Sequence, residues 1–241
     1  MSYIFQVVFY QPILNLLIFL YNIVPGHDIG AAIILLTVII KLVLLPLSKQ
    51  SIKSQKALQN LQPKIDELKK KYANNKEEQG RAMMQLYKQE KVSPFSSCLP
   101  LLIQLPFLWA VFSVFRQGLS NHAITYVYPF IHNPGVINPI SLGVVDLSKA
   151  NIVLAILAGA AQFWQAKMMV TKRPEVSGDG AKDENMMAIM NKQMLYMMPI
   201  LTVVIGMTFP GGLALYWLVT TLLTALQQLY LFKQKDSSPL S

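Results

Sequence analysis

Apolar residues in this chain are gathered into long runs, with the polar residues confined between them. A bilayer core is crossed by about 20 helical residues. Five runs approach that length. Ile29–Leu47 holds Lys41 as its one charge, and Phe95–Phe115 holds none. Ala150–Ala166 ends at Lys167, and Met194–Phe209 and Leu213–Phe232 follow, divided by Pro210-Gly211-Gly212. That tripeptide is a turn signal and predicts a hairpin of the last two spans. The predicted fold class is an all-α membrane protein with a core of five transmembrane helices.

The stretch Ile4–Val24 is apolar and uncharged but contains Pro12. Gln11, Asn15 and Asn22 fall on one helical face, spaced four and seven apart. A polar stripe on an apolar helix suits one lying in the membrane interface. Its length also suits a sixth span, and the residues alone leave both open.

Between the first two spans the pattern changes. Leu58, Leu61, Ile65, Leu68 and Tyr72 alternate three and four apart, the seam of an amphipathic helix. Ala73-Asn74-Asn75 signals a turn, and Met83, Met84 and Tyr87 mark the apolar positions of a second helix. This predicts an antiparallel helical hairpin, with Pro63 as a kink site in its first helix. The Lys172–Glu184 stretch mixes Pro, Gly, Ser and both charges and reads as a mobile loop.

Composition agrees with spans. Of 241 residues, 53% are hydrophobic and 14% charged, against about 25% charged in a soluble domain. The net charge of +9 sits between the apolar runs. It is therefore read as membrane orientation rather than nucleic-acid binding. Ser48–Pro94 holds eleven Lys and Arg, Gln117–Lys149 holds only Lys149, Lys167–Lys192 holds five, and the tail after Phe232 holds two. The basic segments are predicted to be cytoplasmic and the 117–149 loop to face outward. Five spans then place the N-terminus outside and the C-terminus in the cytoplasm. A single cysteine, Cys98, excludes an internal disulfide and reads as packing. The opening MSYIFQVVF lacks a basic region and a cleavage site and is not read as a cleaved signal peptide.

Signals of catalysis are absent. His27, His122 and His132 are far apart, without metal-ligand spacing, and no Walker, HExxH, GxSxG or GxGxxG motif occurs. No catalytic residue, metal or cofactor is assigned. No Asp or Glu lies within a run. Lys41 is the one internal charge, and burying it costs about 2.5–3.5 kcal/mol on an insertion scale. In a straight helix it lies about 9 Å from the end of its run at Leu47, a distance a snorkelling lysine stem largely covers. Other polar residues favour a second reading. Thr37 is one turn before Lys41, Gln104 is mid-span in the second run, and Gln162 and Gln165 are on the third. Trp217, Thr220, Thr224 and Gln228 make a stripe on the fifth. Each alone is ordinary helix-packing glue. Together they suit one hydrated concavity whose positive charge lacks an intramembrane acidic partner. The methionines Met168, Met169, Met186, Met187, Met190, Met194, Met197 and Met198 suit either gap filling or an adaptable apolar surface.

Several ordered motifs resemble the YidC family of membrane protein insertases. They are QPILNLLIFLYN, IILLTVIIKLVLLPLSKQSIKSQKALQNLQPKIDELKKKY, MMQLYKQEKVSPFSSCLPLLIQLPF, ISLGVVDLSKAN and FPGGLALYWLVTTLLTALQQ. The resemblance runs from about Gln11 onward. It implies an N-terminal interfacial helix over residues 1–28, a first core helix over 29–48 and a cytoplasmic hairpin over 49–94. Core helices two to five occupy 95–232, with an outer loop 117–149 and a cytoplasmic loop 167–193, before a tail at 233–241. It also implies a substrate groove open to cytosol and lipid, carrying a positive residue that is usually arginine. Lys41 stands at that position, which keeps the charge but loses the planar fork. By position, Gln165, Tyr216 and Trp217 join the groove. The implied function is insertion of nascent proteins into a bacterial plasma membrane, with help in their folding. The implied partners are the Sec translocon and the ribosome, the latter weakly because the basic tail is short. No large outer domain is expected before Ile29. A small-solute transporter or channel is the competing reading, and the chain lacks the internal repeats it calls for.

Overall fold

Two prolines and one aspartate set the course of the first half of the chain. The fold is that of a computed structural model, which describes residues 3–73, 75–93, 99–118, 126–169 and 195–236. Helix α1 (Tyr3–Ile23) runs without a break through Pro12. Within it, Gln6–Tyr10 form a π-helical turn that ends two residues ahead of Pro12. Such a turn widens the hydrogen-bond ladder where proline offers no amide proton. The chain reverses at Pro25-Gly26-His27, where Gly26 (φ +72°) and His27 (φ +50°) are left-handed. Asp28 then caps helix α2 (Ile29–Val43), accepting the Ala31 amide at 2.8 Å.

Helix α2 stops short of the predicted Leu47. Helix α3 (Leu45–Lys71) begins at once, bent by 68° from α2. Pro46 is the cause: it offers no amide to the carbonyl one turn back, and its ring crowds that carbonyl. Pro63, by contrast, is carried inside α3. Helix α4 (Lys76–Gln89) is capped by Asn75, which accepts the Glu78 amide at 3.2 Å. It folds back along α3, as the Lys64–Glu90 ion pair (2.5 Å) and the Gln79–Lys69 carbonyl bond (3.3 Å) show. Leu58, Leu61 and Ile65 are buried as the seam predicts. Met84 is a correction: its side chain is exposed, and Leu86 turns inward with Met83 and Tyr87 instead.

The remaining helices are α5 (Leu99–Gly118), α6 (Ile152–Met169), α7 (Leu195–Gly206) and α8 (Gly211–Asp236). Gly211 and Gly212 open α8 rather than forming the turn, which lies over residues 207–210. Before α6 a two-stranded antiparallel hairpin forms, β1 (Ile140–Ser141) with β2 (Val145–Asp146), Ser141 facing Val145. By length and composition α1 and α8 are each able to cross a membrane, as is the bent α2–α3 pair if taken as one span. The apolar parts of α5, α6 and α7 are shorter. Cys98, His122, Met186, Met187, Met190, Met194, the Lys172–Glu184 loop and the end of the tail lie outside the described residues.

The core gathers α1, α2, α5, the start of α8 and the 126–148 segment, with Leu14, Ile33, Leu36, Val111, Phe115, Leu147 and Tyr216 at its centre. Helices α6 and α7 approach closely. A Cβ at Gly206 would stand 2.9 Å from that of Ala155. The Thr202 hydroxyl bonds Gln162 across the same contact.

Candidate functional site

Helix α2 leans on α8, and the polar residues of both meet along one seam. Lys41 Nζ donates to Thr224 Oγ1 at 2.7 Å. The Thr224 hydroxyl proton is already engaged, donated to the Thr220 carbonyl at 2.7 Å. Its lone pairs therefore face the ammonium, as a cation requires. Farther on, Ser48 Oγ donates to Gln227 Oε1 at 2.9 Å. Lys56 Nζ then reaches the Phe232 carbonyl at 3.3 Å and the face of its ring at 4.8 Å. Partners rise together in number, so the α2–α3 pair and α8 follow the same chain direction along this contact.

An ammonium has three donors, and Thr224 takes one. Among the described residues no carboxylate lies within ion-pair distance of Lys41. The bend at Leu44 also places Lys41 in the last turn of α2, nearer a helix end than a straight run to Leu47 implies. Its head nonetheless points across to α8. Beyond it, Ser51 Oγ, Gln227 Nε2 and Gln228 Oε1 are buried without a partner among the described residues.

The predicted site residues are only partly brought together. Lys41, Thr220 and Thr224 form one connected group. Gln104 Nε2 donates to the buried Tyr216 hydroxyl at 2.6 Å, tying α5 to α8 one turn before Thr220. Thr37 is fully buried and donates to the Ile33 carbonyl at 2.7 Å, so its hydroxyl is closed on its own helix. Gln162 is held by Thr202 on the α6–α7 contact, apart from the Lys41 group. Gln165 and Trp217 are half-buried. Sequence reasoning missed Ser48, Gln227 and Thr202. Ser48 lay just past the expected span end, and the other two are polar residues in spans whose partners only packing reveals.

At the other end of α2 the polar residues are saturated. Asp28 accepts the Ser141 hydroxyl at 2.8 Å and the Leu142 amide at 2.5 Å, besides its cap bond to Ala31. Burial acts to raise the Asp28 carboxyl, but hydrogen bonds from Leu142, Ala31, Ser141 and Gly30 outweigh it and hold it below its ordinary value. A Cβ at Gly30 would collide with the Ser141 hydroxyl. Helix α1 grips the same 126–148 segment. Asn15 donates to the Tyr126 carbonyl at 2.9 Å and accepts the Tyr128 amide at 2.7 Å. Asn22 donates to the His132 carbonyl at 2.6 Å, and the Tyr21 hydroxyl accepts the Asn138 amide at 3.0 Å. Asn15 and Asn22 of the α1 polar stripe thus face protein, a partner that the pattern alone does not distinguish from lipid headgroups.

The chain has known counterparts over most of its length. A family model described as 60Kd inner membrane protein matches residues 19–238. The chain belongs to that family. A Fusobacterium nucleatum protein named membrane protein insertase YidC is 35% identical over 236 residues, covering 97% of this chain and 99% of that protein. Proteins of the same name from Magnetococcus marinus and a Geobacter species are 34% and 37% identical, and the chain spans 36% of the length of each. A crystal structure titled as an active YidC insertase with its first transmembrane domain resolved superposes with a TM-score of 0.61 at 26% identity. That match covers 94% of this chain and 46% of the other. Family membership and the apolar helices make this an integral inner-membrane protein.

Proposed function

We propose that this protein is a membrane protein insertase that works by charge and hydration rather than by catalysis. Nascent chains enter a groove between α2, α5, α6 and α8 from the cytosol. Acidic or polar residues of their short outer segments are drawn to Lys41, and their apolar segments slide into lipid. Thr37, Gln104, Gln162, Gln165, Tyr216, Trp217, Thr220 and Thr224 line or frame this path. The observation that carries the reading is the Lys41 ammonium, half-buried, with one hydroxyl partner and no carboxylate among the described residues. A charge held at that cost suits a transient partner. Buried Ser51, Gln227 and Gln228 atoms without protein partners support hydration of the same seam.

The reading includes a core of five spans, an N-terminal interfacial helix over 1–28, the hairpin 49–94 in the cytosol and the outer segment facing away from it. The basic content of 48–94 supports that orientation. The Sec translocon and the ribosome are the proposed partners, and folding assistance is part of the proposed role.

The test is complementation of an insertase-depleted strain, read by membrane insertion of a small phage coat-type protein. Wild type and Lys41→Arg are expected to insert it, Lys41→Ala to insert it weakly, and Lys41→Glu to fail. Failure of the wild type with every substrate would refute insertase function. Lys41→Glu working as well as wild type would refute the charge mechanism alone.

A further inference from the structure

The 126–148 segment presents apolar side chains on two sides. Its hydrogen-bonding groups at Tyr126, Tyr128, His132, Asn138 and Ser141 turn onto α1 and Asp28. Leu147 enters the core and Val127, Ile131, Ile137 and Val145 pack against it, but a second set of apolar side chains turns away from the protein. Leu142 and Val144, at the tip of the β1–β2 turn, are 83% and 84% exposed. Leu142 also adopts a left-handed backbone (φ +52°), a conformation usually left to Gly, Asn or Asp. Either polar residue would suit a turn in water, yet the turn holds an apolar one.

The position of the turn identifies what covers it. The Leu142 amide is 2.5 Å from the carboxylate that caps α2. Ser141 lies against Gly30, the second residue of that helix. The tip therefore sits at the level where the apolar run of α2 begins, a helix that itself exposes Ile34 and Leu35. Phe130, also largely exposed, adds an aromatic ring of the kind found at headgroup level.

We propose that the Leu142-Gly143-Val144 turn is a lipid anchor, inserted into the outer-leaflet interface beside the start of α2. This rests on the reading above that α2 lies in the membrane with Asp28 at its outer end. Anchored there, the turn fixes the outer end of α2 relative to the bilayer while the Lys41 end handles substrate.

The experiment uses the full chain in phosphatidylethanolamine–phosphatidylglycerol vesicles. Single cysteines are placed at Leu142, Val144, Lys149 and Leu35 in a Cys98→Ser background and labelled with an environment-sensitive fluorophore. The labels at 142 and 144 are expected to be quenched by shallow doxyl lipids roughly threefold more than the label at 149, as for a group buried about 5–10 Å into the interface. The label at 35 is expected to respond to deep doxyl lipids. Iodide quenching at 142 and 144 equal to that at 149, with 35 still in lipid, would overturn the anchor alone. So would labels at 142 and 144 shielded from both lipid and iodide, which would mean a protein covers the turn. A label at 35 untouched by doxyl lipid would overturn the membrane placement of α2 and the anchor with it.

Discussion

Helix α2 carries one charge near each end, and the two are treated in opposite ways. Asp28 is surrounded by fixed donors: a cap amide, a hydroxyl and a turn amide, all within 2.8 Å. Lys41 has one hydroxyl, on a neighbouring helix. A saturated charge closes a structure, because removing it leaves several donors unmet. A charge with spare donors leaves affinity for something else. The same helix thus has a saturated polar joint at one end and, on the proposed reading, a binding group at the other.

That contrast is open to attack from both sides. Asp28→Ala is expected to do the most damage to the fold, about 2–3 kcal/mol from the lost cap and charged hydrogen bonds. Thermal unfolding in detergent and protease cutting within 126–148 would show it. A loss below about 0.5 kcal/mol would mean the joint is not closed by this carboxylate. Gly30→Ala should cost about 1–2 kcal/mol by forcing Ser141 off the helix, with the same cutting as readout.

A pH titration sharpens the same end. The Asp28 value is lowered in the fold. Its contribution is therefore complete above the ordinary carboxylate value of about 4 and is lost as pH falls through the lowered folded value. Hydrogen exchange at the Leu142 amide, corrected for its intrinsic pH dependence, should keep constant protection from about pH 8 to pH 5 and lose it only in stronger acid. Thr224→Val at the other end should have the smallest effect, under about 1 kcal/mol by unfolding, with insertion retained. A large loss of stability there would make Lys41 a structural residue.

Much of this was legible in the chain. Apolar runs gave the helices, the three-and-four spacing at Leu58, Leu61 and Ile65 gave the hairpin seam, and the lone charge gave Lys41. Asp28 is equally legible as a cap, since it directly precedes the first run as an N-cap residue does, but its partners Ser141 and Leu142 lie more than a hundred residues away. Pro46 was hidden because its neighbours are as apolar as a continuous span. Hydropathy reports burial in lipid and not direction, so a 68° bend leaves no trace in it. The grouping of polar residues was the hardest part. Gln162 and Gln104 look alike along the chain, yet one joins α7 and the other α8. Those choices are made by helix packing, which no single segment encodes.

The central claim is that Lys41 is held for a transient acidic partner. Its most direct test is a charge exchange, in which a substrate with acidic residues in its outer segment and the same substrate with lysines there are presented to wild type and Lys41→Glu. The account predicts that wild type inserts the acidic form better, and that Lys41→Glu loses the acidic form while gaining the basic one. Equal insertion of both forms by both proteins would contradict it.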